Sequence, residues 1–340
     1  MKNLIMFLTL LTLLLAPTMV LAVDATFSPL TPLRVSALPY LTYAPLYIAE
    51  AEGFFAQQGL KVEFVHFQRH GDSLTALLRG DLDVDSVFTA GLLNVIGRGG
   101  KVRVVAEKSL LQSNGCTTAA FLVRKGLFDQ ISEMSPAALR KLTFGVDPTW
   151  PDSYFLQRFL AARGVNVRDV ATRYLPDSAL RIEALRQGVL DVAFLTEPWI
   201  TRAKESNAGV VWAPAEEIIH SYPLSILSFG PSLLERKDDI GVRFLRAYLQ
   251  GIARYSEGKT LHNIEILSRV TRIDADLLMR VCWPVFSSDG QIDAQAISRY
   301  SSWATTQGLT DQALSPEQFW DPRFVVAARE TLNAQIPSKP

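Results

Sequence analysis

The chain of 340 residues holds only two cysteines, Cys116 and Cys282, and four histidines. Two cysteines cannot staple a disulfide-dense scaffold, and four scattered histidines offer little to a metal. His66 and His70 are four apart, but they fall where a strand runs into a loop, so they share no helical face. His220 and His262 stand alone. Neither sign of charge is in excess, with 34 basic and 34 acidic side chains. That balance gives no electrostatic reason to expect nucleic acid or an anionic membrane as partner. There is no glycine-rich phosphate loop and no dinucleotide fingerprint, so neither a cofactor nor a metal is expected.

Long apolar runs are missing too, apart from the first segment. Met1 to Ala22 reads as an export signal: Lys2 is its positive start, Leu4 to Ala16 its apolar stretch, and Val20-Leu21-Ala22 a small-residue cleavage site. The run is short of the roughly 20 residues that span a bilayer. No cysteine lies near the cleavage site, so no lipoprotein anchor is expected. Removing Lys2 with the segment leaves 33 basic against 34 acidic groups. The expectation is an exported, released and soluble monomer. In an oxidising compartment Cys116 and Cys282 either pair or remain two buried thiols, and sequence alone leaves both open.

What is present is a repeat. Ala76-Leu77-Leu78-Arg79-Gly80-Asp81-Leu82-Asp83-Val84 returns as Ala184-Leu185-Arg186-Gln187-Gly188-Val189-Leu190-Asp191-Val192. Each copy reads as a helix end, a glycine stop and a strand entered through Leu-Asp-Val. Upstream, Phe54-x-Ala56-x-x-Gly59-Leu60-x-Val62 is echoed by Phe159-x-Ala161-x-x-Gly164-Val165-x-Val167. The offsets, 108 residues from Ala76 to Ala184 and 105 from Phe54 to Phe159, nearly agree. Two similar α/β lobes follow, each strand, helix, strand, helix, strand. Two facing lobes make a cleft, and a cleft takes a ligand.

The strand and helix signals fill this plan. Strands are expected at 33–37, 61–67, 83–88 and 101–107 in the first lobe, and at 142–146, 171–175, 190–195 and 210–212 in the second. Thr42 falls in the N-cap region of a helix with Pro45 in its first turn, Thr89 starts another, and Asp152 or Ser153 caps a third. Residues 119–124 and 224–229 read as hinge strands between a lobe one of 33–118 plus 230–335 and a lobe two of 119–229. Beyond 230 the chain reads as helical, with Gly241, Leu245, Tyr248, Leu249 and Ile252 on one face.

The run Ala44-Pro45-Leu46-Tyr47-Ile48-Ala49-Glu50-Ala51-Glu52-Gly53-Phe54-Phe55-Ala56-Gln57-Gln58-Gly59-Leu60-Lys61-Val62, followed by Ala76 to Asp83 and by Glu197-Pro198, resembles a known family. It is similar to the nitrate, sulfonate, taurine and thiamine-precursor (NMT1/THI5-like) solute-binding proteins of ABC importers. The resemblance implies a two-lobed periplasmic-binding-protein-like fold that closes on a small molecule. It also implies a membrane permease as partner and ATP hydrolysis on a separate subunit. Ligands in such open sheets lie beyond the carboxyl ends of strands, near helix N-termini. This directs attention to Tyr40, Thr42 and Tyr43, to Arg69, to Thr89, and to Trp150 and Ser153. Family position adds Asn114 and Glu197. The aromatics suit a flat or partly apolar portion by stacking. The helix starts and Arg69 suit an acceptor or anionic group, and Glu197 is either a helix-dipole partner or a partner for an amino group. A sulfonate, a small organic acid and an aminopyrimidine all fit.

Two other classes compete. Gly71-Asp72-Ser73-Leu74 spells the nucleophile block of GDSL-type esterases, with Ser73 as nucleophile. A serine needs a base and an orienting acid, and the Asp-x-x-His that supplies them in that family is absent. A periplasmic sensing adaptor would use the same cleft without transport.

Overall fold

A computed structural model describes residues 29–67, 70–112, 115–130, 135–147, 150–175, 177–236 and 239–334. Segment 1–22, the expected export signal, lies outside the described residues, as do Arg69, Asn114 and the tail 336–340.

The repeated frame has a local physical cause. In both copies the glycine ends a helix with left-handed backbone, φ 76° at Gly80 and 72° at Gly188, where a Cβ would be strained. Leu82 and Leu190, two residues on, are buried anchors. The aspartate then clamps the neighbouring strand. Asp83 N–H donates to Arg34 O at 2.9 Å, and its carboxylate accepts from Arg34 N–H at 2.8 Å. Asp191 does the same to Thr143, at 3.0 Å in both directions.

Each clamp sits inside a five-stranded sheet. The first contains β1 (Thr31–Ser36), β2 (Leu60–Val65), β3 (Val84–Asp85), β4 (Arg103–Leu111) and, from much later in the chain, Tyr222–Phe229. The second contains β5 (Ala119–Arg124), β6 (Thr143–Val146), β7 (Ala171–Tyr174), β8 (Val192–Thr196) and β9 (Gly209–Pro214). With Tyr222–Phe229 as β10, the orders are β2-β1-β3-β10-β4 and β7-β6-β8-β5-β9. The two sheets thus share one plan, in which a single antiparallel strand is set among parallel ones.

The two segments expected to be hinge strands are these antiparallel members. β5 belongs to the second sheet. β10 starts at Tyr222 and belongs to the first, although 222–229 falls inside the stretch assigned to lobe two. The chain changes sheet at 112–118 and returns at 215–221. Both segments are mainly apolar, although β10 carries Ser225 and Ser228, and mainly apolar is how a strand covered on both faces reads in sequence. A crossing and a sheet centre are not separable on that pattern. Other boundaries shift as well: β4 runs on to Leu111, and β9 is twice the expected length.

Three apolar clusters fill the layers. One joins β1, β2 and the helix Ala44–Ala51 to the C-terminal helices Ile240–Tyr255 and Arg323–Ala334. Leu245, Tyr248, Leu249 and Ile252 are buried there as their spacing requires, and Gly241 beside them meets Phe229 and Phe324. A second cluster is continuous between the lobes: Leu111, Tyr222 and Ile226 of the first sheet share it with Phe121, Phe144 and Phe155 of the second. Tyr154, Phe155 and Tyr300 close around Tyr222 and Phe88 beside the crossings. The third covers the far face of the second sheet. Cys116, in the outbound crossing, is disulfide-bonded to Cys282, with Cα atoms 5.7 Å apart. No helix among the described residues is long and apolar enough to cross a membrane.

Candidate functional site

The carboxyl ends of β1 and β3 meet at one edge of the first sheet and carry a buried polar cluster. Asp85, 2% exposed, is its centre. Its Oδ1 accepts from Ser36 Oγ at 2.6 Å and from Ser86 N–H at 2.8 Å, and its Oδ2 accepts from Ser73 Oγ at 3.3 Å. Ser86 Oγ donates to Ser36 O at 2.7 Å, and Ser225 Oγ on β10 donates to Ser86 O at 3.2 Å. β4 brings in Glu107 and, by its extra length, Lys108, each 1% exposed. Lys108 Nζ lies 3.2 Å above the centre of the Tyr43 ring. A small cavity opens against this floor, lined by Ser36, Leu38, Tyr43, Phe67, Ser73 and Val87.

Burial dominates the electrostatics here. It raises the Asp85 carboxyl, against the opposing pull of its serine and backbone hydrogen bonds and of Lys108. It pushes the Lys108 ammonium well below the usual lysine range, while Asp85 and Glu107 push the other way. Glu107 is raised to about 8 by burial, opposed by the Ser287 N–H that it accepts. The Tyr43 hydroxyl is raised by burial, opposed by its hydrogen bond with Ser86.

The matching edge of the second sheet lies at the end of β6. Asp152, in the first turn of the helix Asp152–Ala161, accepts from Asp147 N–H at 2.9 Å and from Arg181 Nη1 at 3.1 Å. Burial raises this carboxyl to about 7 despite the guanidinium beside it. Arg181 also donates to Phe194 O at 2.8 Å, tying the helix Ser178–Arg186 to the end of β8.

The residues expected at the cleft fall in different places. Tyr43 is on the floor. Tyr40, 43% exposed, has its hydroxyl raised by burial and then by the charge of Asp177, so it faces across to the second lobe. Asp177 itself caps Ser178–Arg186. Thr89 caps the helix Ala90–Gly97, accepting from Leu92 N–H at 3.3 Å. Thr42 is half-buried in the turn Leu41–Tyr43 and caps nothing: the helix starts at Ala44 behind Tyr43, without a side-chain cap. The cap position of Asp152–Ala161 is Pro151, so neither Asp152 nor Ser153 fills it. Both instead hold the preceding loop, Ser153 Oγ donating to Asp147 O at 3.1 Å. Trp150 is half-buried in that loop, its backbone N–H on Asp147 O at 3.1 Å. Glu197, at a cis Glu197–Pro198 bond, accepts from Thr201 N–H and Oγ1 and from Cys282 N–H, at 3.1, 2.9 and 3.3 Å. Ser73 donates directly to a carboxylate. That hydrogen bond makes its hydroxyl part of the Asp85 network. Among the described residues no group of three or more His, Cys, Asp or Glu side chains is arranged to hold a metal ion.

Ser36, Asp85, Ser86 and Lys108 were not expected. Their signal is polarity inside strands: Asp85-Ser86 follows a Leu-Asp-Val entry whose second copy continues Ala193-Phe194, and Glu107-Lys108-Ser109 interrupts the apolar run from Val104 to Leu111.

Two α/β sheets on one plan, the first with a buried polar cluster at its carboxyl edge, define a bilobal fold. The model of the NMT1-like family matches residues 27–266, and the chain belongs to that family. Among curated relatives, the "Bicarbonate transport ATP-binding protein CmpC" of Synechocystis sp. is 26% identical over 246 residues, covering 69% of this chain. The chain spans only 36% of that relative's length. Among solved structures, a ligand-binding component of an ABC-type import system from Staphylococcus aureus superposes with a TM-score of 0.71 at 15% identity, over 88% of this chain and 99% of its own. The periplasmic nitrate-binding protein NrtA from Synechocystis PCC 6803 gives 0.69 at 14%, over 92% of each chain. The desulfurization enzyme DSZB gives 0.62 at 14%, over 89% and 99%, so the fold is not confined to binding proteins.

Proposed function

We propose that this chain is the periplasmic solute-binding component of an ABC importer. It captures a small organic solute between its lobes and delivers it to a membrane permease. Lobe one is built on the first sheet with the helices after 230, lobe two on the second sheet, and residues 1–22 direct export. Family membership supports the class of protein. The observation that carries the site is the Ser36–Asp85–Ser86 cluster, a buried polar floor at the strand ends where open α/β sheets take ligands. Sulfonates, small organic acids and aminopyrimidines are the solutes to try.

The test is a thermal-shift screen of the mature protein against sulfonates, nitrate, aromatic acids and aminopyrimidines. A ligand at about 100 times its Kd stabilises by about 2.7 kcal/mol, well within reach of a melting curve. Small-angle scattering of the best hit should give a smaller radius of gyration as the lobes close. Hydrolysis of simple esters, lost in Ser73→Ala, would replace this reading with an enzyme.

A further inference from the structure

Once the hydrogen bonds of the floor are assigned, two groups are left over, Glu107 Oε1 as an acceptor and Lys108 Nζ as a donor. Lys108 Nζ carries three donors at a residue 1% exposed, and among the described residues no oxygen accepts a hydrogen bond from it. Its company is the face of the Tyr43 ring at 3.2 Å and the charges of Asp85 and Glu107. Asp85 is already filled by Ser36 Oγ, Ser86 N–H and Ser73 Oγ. Glu107 directs Oε2 to Ser287 N–H at 2.5 Å. A buried ammonium held by a ring face alone keeps only a fraction of the stabilisation that an anionic acceptor would give it.

Tyr43 ties this cation to the cavity. Its ring lines the cavity and also carries Lys108 Nζ against its face. We propose that Lys108 is the specificity-determining cation of the cleft. The bound solute then carries an acidic group, a carboxylate, sulfonate or phosphate, that comes in beside the Tyr43 ring and accepts the Lys108 hydrogen bonds. This rests on the solute-binding reading above and narrows it. An aminopyrimidine head would bring donors to a floor where Asp85 already has three and Glu107 Oε1 is the open acceptor, and it would leave Lys108 as it is. An acid fills the donors that are open. Asp85 is the fixed counter-charge that makes a lysine tolerable there while the cleft is empty.

The test uses matched pairs on the mature protein, followed by thermal shift and then calorimetry. The pairs are benzoate with benzamide, benzenesulfonate with benzenesulfonamide, and phenyl phosphate with phenol, run beside an aminopyrimidine. The acid of a pair should bind at least about 100-fold more tightly than its neutral partner. Lys108→Met leaves Asp85 uncompensated and risks the fold, so Lys108→Met/Asp85→Asn, which removes both charges, is measured beside it. That double variant should keep its melting temperature and lose the preference for acid. Hits confined to neutral or amino compounds, or a double variant that binds the acid within about 3-fold of wild type, would overturn the assignment and leave the solute-binding reading standing. A panel in which no compound of any charge shifts the melting temperature would sink both.

Discussion

The disulfide offers the most direct energetic test of the architecture. Cys116 and Cys282 are 166 residues apart in sequence, and the bond closes a loop that contains the whole second sheet. In the chain-entropy account, closing a loop of that length removes about 5 kcal/mol of denatured-state freedom. Thermal unfolding releases about 2.1 cal/mol/K per residue, or about 0.6 kcal/mol/K over roughly 300 residues, so losing the bond should lower the melting temperature by about 8 °C. The variant to make is Cys116→Ala/Cys282→Ala. It keeps the Cys282 backbone N–H that Glu197 accepts at 3.3 Å, so the contact of Glu197 with this segment is retained. Calorimetry of the oxidised protein, the reduced protein and the variant should place the last two together, well below the first. A variant melting within about 2 °C of the oxidised protein would refute the account. So would two titratable thiols in protein recovered from an oxidising compartment.

Three further perturbations read other parts of the fold. Glu107 has its carboxyl raised from 4.5 to about 8, so the folded state favours the neutral form; the resulting stabilisation is complete below about pH 4.5 and lost as pH rises through 8. Glu107→Gln should therefore flatten the fall in stability between pH 5 and 8.5, by on the order of 5 kcal/mol, and parallel urea-melt profiles for the two proteins would contradict this. Arg181→Met leaves the Asp152 carboxylate, 4% exposed, with only a backbone donor; it should cost about 3–5 kcal/mol in urea unfolding, and a loss under about 1 kcal/mol would mean that water already reaches the pair. Gly251→Ala puts a Cβ 2.2 Å from Pro45 O, where Ile240–Tyr255 crosses Ala44–Ala51; backbone cannot yield as a side chain does, so we expect a cost near the top of the about 1–3 kcal/mol range for overpacking, and a neutral melt would show that the helices can part.

The fold was legible because its determinants recur. A glycine stop, a buried leucine and an aspartate that clamps the next strand appear twice, and each does the same work in its own sheet. Two such units could be inferred without any knowledge of how the sheets are wound. The hinges were not legible at that level. β5 and β10 are mainly apolar, with Arg124 at the end of one and Ser225 and Ser228 in the other, and nothing in such a run says which sheet covers it. Caps misled for a related reason. Thr42, Asp152 and Ser153 are the residue types that satisfy helix starts, but here Pro151 and Tyr43 take the cap positions.

The site was hidden by the same repeat that revealed the fold. Superposing the copies on their clamps sets Arg34 against Thr143 and Asp83 against Asp191. Two strand positions beyond Arg34 stands Ser36, where the second copy has Gly145; two beyond Asp83 stands Asp85, where it has Ala193; and Ser86 answers to Phe194. In the second lobe these places serve packing. Leu190 Cδ1 would lie 2.4 Å from a Cβ on Gly145, and Phe194 stacks on Phe155 with ring centres 5.7 Å apart. In the first lobe the same three places are polar and hydrogen-bonded to one another. Residues common to the copies carry folding, which any binding lobe of this plan needs. Residues that differ in polarity between them are free of that duty. Ser36, Asp85 and Ser86 differ, are buried, and converge at the edge where ligands bind, so the divergence between the copies, not their agreement, points to the floor of the cleft.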